Sequence, residues 1–235
     1  MRRIATILAR SGSKGLPHKN ILELDGEPLL SRTVRQARES RLFDCIVVSS
    51  DSEGYLKIAA NAGAQKLVLR PSQFSGDSVT KLPGIRHAVE QAEQEFGVNY
   101  ETIVDLAVTS PLRAFSDIRD VVALLETTDA STVLSAQLAT DSPYFNLLEK
   151  SKNGTWALSK TVARPVNARQ SSPPVFALNG AVYSWSRDEL FKDNNKVVRS
   201  GTELFLMPRE RSVDIDDEFD FKIAELLFHN SFERG

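Results

Sequence analysis

Ile4-Ala5-Thr6-Ile7-Leu8-Ala9-Arg10-Ser11-Gly12-Ser13-Lys14-Gly15-Leu16-Pro17-His18-Lys19-Asn20 is the stretch on which the fold turns. Its first six residues are a short apolar run, the pattern of a strand buried on both faces. The run opens directly into a loop with two glycines, two serines and three fixed cations, Arg10, Lys14 and Lys19. Backbone N–H groups in a Gly/Ser loop can converge on an anion, and Arg and Lys add full charge. A buried strand leading into such a loop predicts an α/β domain that grips a polyphosphate at a strand end. Two common phosphate loops are excluded. Lys14 is followed by Gly15, so G-x-x-x-x-G-K-[ST] is absent, and Gly12 with Gly15 does not make G-x-G-x-x-G.

Outward from this stretch, strand-like and helix-like segments alternate. Pro28–Glu39, Glu53–Ala62, Lys81–Phe96 and Asp117–Leu125 have helical spacing; Pro83 stands in a first turn, where proline is tolerated. Cys45–Ser50, Gln65–Arg70, Glu101–Val108 and Ser131–Leu138 read as strands. The β-α-β-α order predicts a three-layer sandwich, a mostly parallel sheet covered on both faces. Ligands on such sheets bind beyond the carboxyl ends of the strands, where the first loop, Asp51 and Thr109-Ser110 then fall. From residue 140 to 176 the pattern breaks into Pro-, Asn- and Ser-rich chain with an Asn153-Gly154 turn signal, read as an inserted arm reaching a second copy of the chain. Leu178–Trp185 resumes as a strand. Leu204–Met207 and Ser212–Ile215 are short strand-like pieces, and a closing helix carries Phe219, Ile223, Leu226 and Leu227 as an expected core stripe.

Composition narrows the function. The 235 residues, 41% hydrophobic, suffice for one domain with its own core, expected over 1–235 with 140–176 as its arm. A formal net charge of −2 supplies no global field for nucleic acid or an anionic membrane, so an anion must be held by a local cluster. The single Cys45 lies in an apolar run and reads as a small core residue. No run reaches membrane-spanning length, and the apolar stretch after Met1-Arg2-Arg3 is cut at Arg10 without a cleavage site, so a cytoplasmic protein is expected.

Asp214-Ile215-Asp216 is the second chemical feature. Carboxylates at i and i+2 on an extended segment point to one side, and hard oxygen ligands there suit Mg²⁺ completed by substrate phosphates and water. The competing reading is an acidic helix start formed with Asp217 and Glu218. Arg164-Pro165-Val166-Asn167-Ala168-Arg169-Gln170 places cations and amides near the arm, and Leu178-Asn179-Gly180-Ala181-Val182-Tyr183 opens the following strand.

Along nearly its whole length the chain resembles the acylneuraminate cytidylyltransferases, or CMP-sialic acid synthetases. The markers are Leu8 to Pro17 with Lys19-Asn20, Val48-Ser49-Ser50-Asp51, Leu69-Arg70-Pro71, Thr109-Ser110-Pro111-Leu112-Arg113, Asn179-Gly180-Ala181-Val182-Tyr183 and Asp214-Ile215-Asp216. The resemblance implies a fold like that of nucleotide-diphospho-sugar transferases. It implies an enzyme joining CTP to a nine-carbon α-keto acid sugar, with release of pyrophosphate. Arg10 and Lys14 would bind the CTP phosphates and act catalytically with Asp214. Ala9, Ser11, Gly12, Lys19, Asn20 and Arg70 would complete the nucleotide site. Thr109, Ser110, Arg169, Gln170, Asn179 and Tyr183 would lie near the sugar, and Asp214 and Asp216 would hold Mg²⁺. A homodimer is implied, with no nucleic acid and no membrane among its partners. Ala107-Val108 replaces the Gln-Pro frequent in the family, and Gly76 replaces a Ser. Lys81-Leu82-Pro83, Pro143-Tyr144-Phe145-Asn146 and Ala168-Arg169-Gln170-Ser171 are similar to the branch that activates legionaminic acid. The alternatives are a CMP-Kdo-type or other sugar nucleotidyltransferase, or an inactive binding protein; Kdo relatives usually carry a metal-binding Asp where Thr109 stands.

Overall fold

Seven strands make the central sheet, and its topology follows from where apolar runs lie in the chain. The computed structural model describes residues 1–12, 15–74, 80–162, 168–192 and 194–232, apart from the side chains of 231 and 232. The strands are β1 (Arg3–Leu8), β4 (Cys45–Ser50), β5 (Lys66–Leu69), β6 (Thr102–Leu106), β7 (Thr132–Leu138), β10 (Phe176–Ser186) and β11 (Thr202–Leu206). Two small hairpins supply the rest: β2 (Glu23–Leu24) with β3 (Glu27–Pro28), and β8 (Leu148–Lys150) with β9 (Trp156–Leu158) in the expected arm. The sheet order is β11-β7-β10-β6-β1-β4-β5, with β10 antiparallel to both neighbours and every other pair parallel. The chain leaves β1 toward β4 and β5 and returns on the other side as β6. The order therefore reverses between β1 and β6, and the crevice at their carboxyl ends is where ligands of such sheets bind.

Helices α1 (Leu29–Ser40), α2 (Glu53–Ala62), α4 (Phe115–Thr127) and α6 (Glu218–Phe232) pack on one face of the sheet, and α3 (Lys81–Phe96) with the short α5 (Arg187–Leu190) on the other. Strand residues alternate between these two cores: Ala5, Ile7, Val104 and Leu106 join the first, Ile4 and Ile103 the second. Helix ends match their local chemistry. The Ser52 hydroxyl accepts from the Tyr55 N–H at 3.4 Å to open α2, and Gly63 closes it at φ 100°. Cys45 is buried, and burial pushes its thiol up. No helix among the described residues is long and apolar enough to cross a membrane.

Two expectations are corrected. Ser212–Ile215 is not a strand: a single turn of 3-10 helix at Arg209–Arg211 is followed by irregular chain outside the sheet. Its backbone hydrogen bonds among the described residues are Ser212 N–H to Arg209 O at 3.1 Å and Ile215 N–H to Thr109 O at 2.8 Å, too few to make a ladder. In α6 the buried side chains are Ala224 and Phe228, with Phe221 packed beside them, whereas Phe219 and Leu226 are exposed. The helix starts from Asp217, whose carboxylate accepts from the N–H groups of Phe219 and Asp220. The inward face is 221/224/228; of the expected stripe, Phe219 and Leu226 are exposed and Ile223 and Leu227 are half-buried.

Candidate active site

The first loop leaves β1 at the crevice and is fastened on three sides. Ala9 N–H donates to Ser49 O at 3.0 Å, prolonging the β1–β4 ladder beyond Leu8. Ser11 N–H donates to Asp51 Oδ1 at 2.8 Å, and the buried Asn20 amide donates to Arg10 O at 2.8 Å. Asn20 thus curls the loop back on its own beginning. Gly12 faces open space; Lys14 lies outside the described residues. Arg70 begins the segment after β5, its N–H donating to Ser50 O at 2.8 Å. Its guanidinium is buried, with Nε and Nη2 unpartnered among the described residues, and burial lowers its pKa. A buried guanidinium with spare donors is a strong attractor of an anion.

Lys19 joins the two chemical motifs. Its ammonium donates to Ile215 O and to Asp216 Oδ1, both at 2.8 Å. The contact is close enough that Gly15 could carry no side chain, since a Cβ there would meet Asp216 O at 2.5 Å. Asp214 lies beside Thr109 and near Gly180, where a Cβ would stand 3.9 Å from Asp214 Oδ2. One face of Asp214 is open to solvent, but protein closes around the rest of it. That burial raises its carboxyl above the usual range, helped by Asp216 and opposed by Thr109, Lys19 and Lys81. The helix-capping role falls to Asp217, leaving Asp214 and Asp216 for the crevice.

Thr6, Asp105 and Tyr183 stand in register across β1, β6 and β10, a polar row on the α3 face. Asp105 accepts from Thr6 Oγ1 at 3.1 Å and from Lys81 Nζ at 2.8 Å. Tyr183 is buried, and burial pushes its hydroxyl up to about 12. The loop carrying Thr109 is clamped by Arg113, whose Nη1 donates to Ala107 O at 2.5 Å and Ala181 O at 3.1 Å. Burial drives this guanidinium down to about 9.

Four residues expected near the sugar are placed as follows. Asn179 is buried: its Oδ1 accepts from Ser135 Oγ at 2.6 Å, and its Nδ2 donates to Ser212 Oγ at 2.9 Å. Its amide braces the irregular β10 register between Leu178 and Tyr183 and faces inward. Ser110 is fully buried beneath it. Arg169 and Gln170 form an exposed single turn on the arm side, Arg169 donating to Ala139 O at 3.4 Å. Asp105 was missed by motif reading, and Lys81 was noted only within Lys81-Leu82-Pro83, with no site role. The signal was present: Asp105 is an acid inside an otherwise apolar strand, and a buried carboxylate requires a partner.

The loop after β1 and the Asp214–Asp216 segment meet through Lys19. Residues 4–159 match the family profile described as Cytidylyltransferase. This chain belongs to the cytidylyltransferase family. Among relatives of this cytidylyltransferase, a "CMP-N,N'-diacetyllegionaminic acid synthase" of Campylobacter jejuni is 35% identical, covering 95% of this chain and 94% of that protein. A "Post-translational flagellin modification protein B" of Campylobacter coli is 34% identical over the same shares of the two chains. A solved CMP:2-keto-3-deoxy-manno-octonic acid synthetase complexed with CTP matches 98% of this chain and all of that one at TM-score 0.69 and 14% identity, a likeness of fold.

Proposed function

We propose that this cytidylyltransferase activates a nine-carbon α-keto acid sugar of the legionaminic acid type with CTP, giving the CMP-sugar and pyrophosphate. The observation that carries the reading is the Lys19 contact, which brings the Arg10–Lys19 loop against the Asp214–Asp216 segment. Displacement at an α-phosphate needs little covalent help from protein; it needs in-line placement and compensation of charge. The loop supports that role, with Arg10, the Ser11 and Gly12 backbone, Lys14, Lys19 and Arg70 around the triphosphate and Asn20 holding the loop's shape. The neutral groups Thr109 and Tyr183 border the place left for the sugar, with Arg169 and Gln170 approaching from the arm.

Asp214 and Asp216 offer hard oxygens suited to Mg²⁺. Among the described residues no group of three His, Cys, Asp or Glu could hold a metal by itself, so the donor set fits an ion shared with substrate phosphates. Mg²⁺ bound there offsets phosphate charge and favours the deprotonated form of the attacking sugar hydroxyl. Leu147, Leu148, Trp156 and Leu158 on the arm, with Leu138 and Phe176 at its root, are exposed apolar side chains, which supports a homodimer formed through 140–176.

The test is pyrophosphate release from CTP across a panel of nonulosonic acids, with ATP, GTP and UTP as controls and with Mg²⁺ present or chelated. Release with CTP and a legionaminic-type acid, lost on chelation, is expected. Release with another nucleotide, or only with an eight-carbon acid, would refute the reading.

A further inference from the structure

Lys81 is a cation at the crevice that the nucleotide loop does not include. It stands at the first position of α3, and its ammonium is fixed from two directions. Asp105 Oδ2 lies 2.8 Å away, and the Tyr183 ring centroid lies 4.1 Å away. The Asp105 side chain is 4% exposed, while that of Lys81 is 30% exposed. An ammonium has three N–H donors. Asp105 takes one, and the ring faces the charge without accepting a conventional hydrogen bond. The side chain stays 30% exposed, and its charge acts on Asp214. Lys19 acts on the same carboxylate from the side of the first core, where Leu16, Ile21 and Ile215 pack, and Lys81 acts from the α3 side.

A buried ion pair is a poor stabilising device by itself, because desolvation offsets most of the attraction. Asp105 could have been an apolar residue like its neighbours on β6. The pair makes physical sense as a mount: Asp105 and Tyr183 hold one positive charge in a set position with a donor left over. The geometry points to Lys81 as a substrate contact that takes an anionic oxygen at the reacting centre beside Asp214. That oxygen belongs to the α-phosphate of the nucleotide or to the carboxylate of the acid co-substrate. The inference rests on the proposed transfer and adds to it a cation outside the phosphate loop.

The experiment compares K81M, K81R and the double variant K81M/D105N with the unaltered enzyme, by steady-state kinetics in both substrates, calorimetric CTP binding and thermal melting. The double variant removes both charges of the pair. Asp105 also lies in the field of the buried Arg70 and Arg113, and thermal melting reports whether the double variant folds like the parent. A fall of about 10²–10³-fold in kcat/KM is expected for K81M, the usual effect of removing one preorganised charged donor. K81R should recover most of it, and K81M/D105N should remain impaired. A raised KM for the acid alone assigns the carboxylate; a lowered kcat with both KM values held assigns the α-phosphate. Normal kinetics in K81M, or recovery in K81M/D105N, would mean that Lys81 only neutralises Asp105, and the inference falls. If the unaltered enzyme binds CTP but turns over no acid, the proposed function fails separately. Lys81 is then judged by CTP affinity, and an unchanged value in K81M overturns its role.

Discussion

The ammonium of Lys19 lies 2.8 Å from Asp216 Oδ1 and from the carbonyl oxygen of Ile215, so the loop after the first strand and the segment before the last helix are one structure. Neither partner sits in a regular element beyond a single turn of 3-10 helix at Lys19–Ile21. The contact is exposed on the Asp216 side, where an ion pair contributes at most about 1 kcal/mol to stability. Its value is positional: it fixes the loop against carboxylates from the far end of the chain, where we propose that a triphosphate meets them.

Gly15→Ala tests that junction without touching a charge. An added methyl would meet the backbone oxygen of Asp216 at 2.5 Å, a distance that forces the two segments apart. Overpacking of this kind costs about 1–3 kcal/mol where the backbone cannot yield. Both segments lie at the surface, so the expected stability loss is toward the low end, while kcat/KM falls at least about tenfold because placement near the reacting atoms is lost. Thermal melting beside steady-state kinetics checks it; full activity would show that the junction does not set the geometry.

Lys14→Ala tests the loop's own charge. Lys14 lies outside the described residues, and the expectation comes from its place between Ser13 and Gly15 in the anion loop. Removing one such donor typically costs about 10²–10³-fold in rate. The variant should melt like the parent and bind CTP more weakly. A near-native kcat would take Lys14 out of the chemistry.

The arm makes a separate prediction. Trp156 is 65% exposed and Leu148 57% exposed on a two-stranded hairpin, which is marginal in water without a surface to rest on. The double variant Trp156→Ser/Leu148→Ser should shift a micromolar sample from dimer to monomer in light scattering. A parent protein that is monomeric and fully active at that concentration would exclude dimerisation as a requirement.

Much of this was legible in the sequence. Cys45–Ser50, Glu53–Ala62 and Lys81–Phe96 are elements with the bounds read from the chain, because buried apolar runs and capped helices carry strong local signals. The crevice followed from strand order. What local pattern could not supply was orientation. Asn179 sits in a motif that suggests a ligand contact, yet its amide is taken up by Ser135 and Ser212, the second of them 33 residues away. The 3.6-residue period of α6 was right and its phase wrong, since packing against the sheet, not local pattern, selects the inward face 221/224/228. Asp105 belongs to no contiguous motif; register across β1, β6 and β10 brings it beside Thr6 and Tyr183, and the start of α3 brings Lys81 to it.

Asp214→Asn decides between a metal ligand and an ordinary surface acid. The change keeps the shape, removes a charge and weakens an oxygen donor. Asp214 takes no part in starting α6, which Asp217 caps, so a helix-dipole contribution of the usual 0.3–1 kcal/mol, roughly, is not at stake. Burial raises the Asp214 carboxyl, which means the charged form is held at some cost. Removing that charge should leave the melting temperature unchanged or slightly higher. Activity should fall steeply and recover in part as Mg²⁺ is raised, because a weaker donor shifts the metal requirement before it abolishes turnover. CTP binding without metal should change little, since the loop contacts persist. The measurement is kcat against Mg²⁺ concentration for Asp214→Asn and the parent: a displaced curve assigns Asp214 to the ion, and a curve superimposable on the parent's removes it from the metal site.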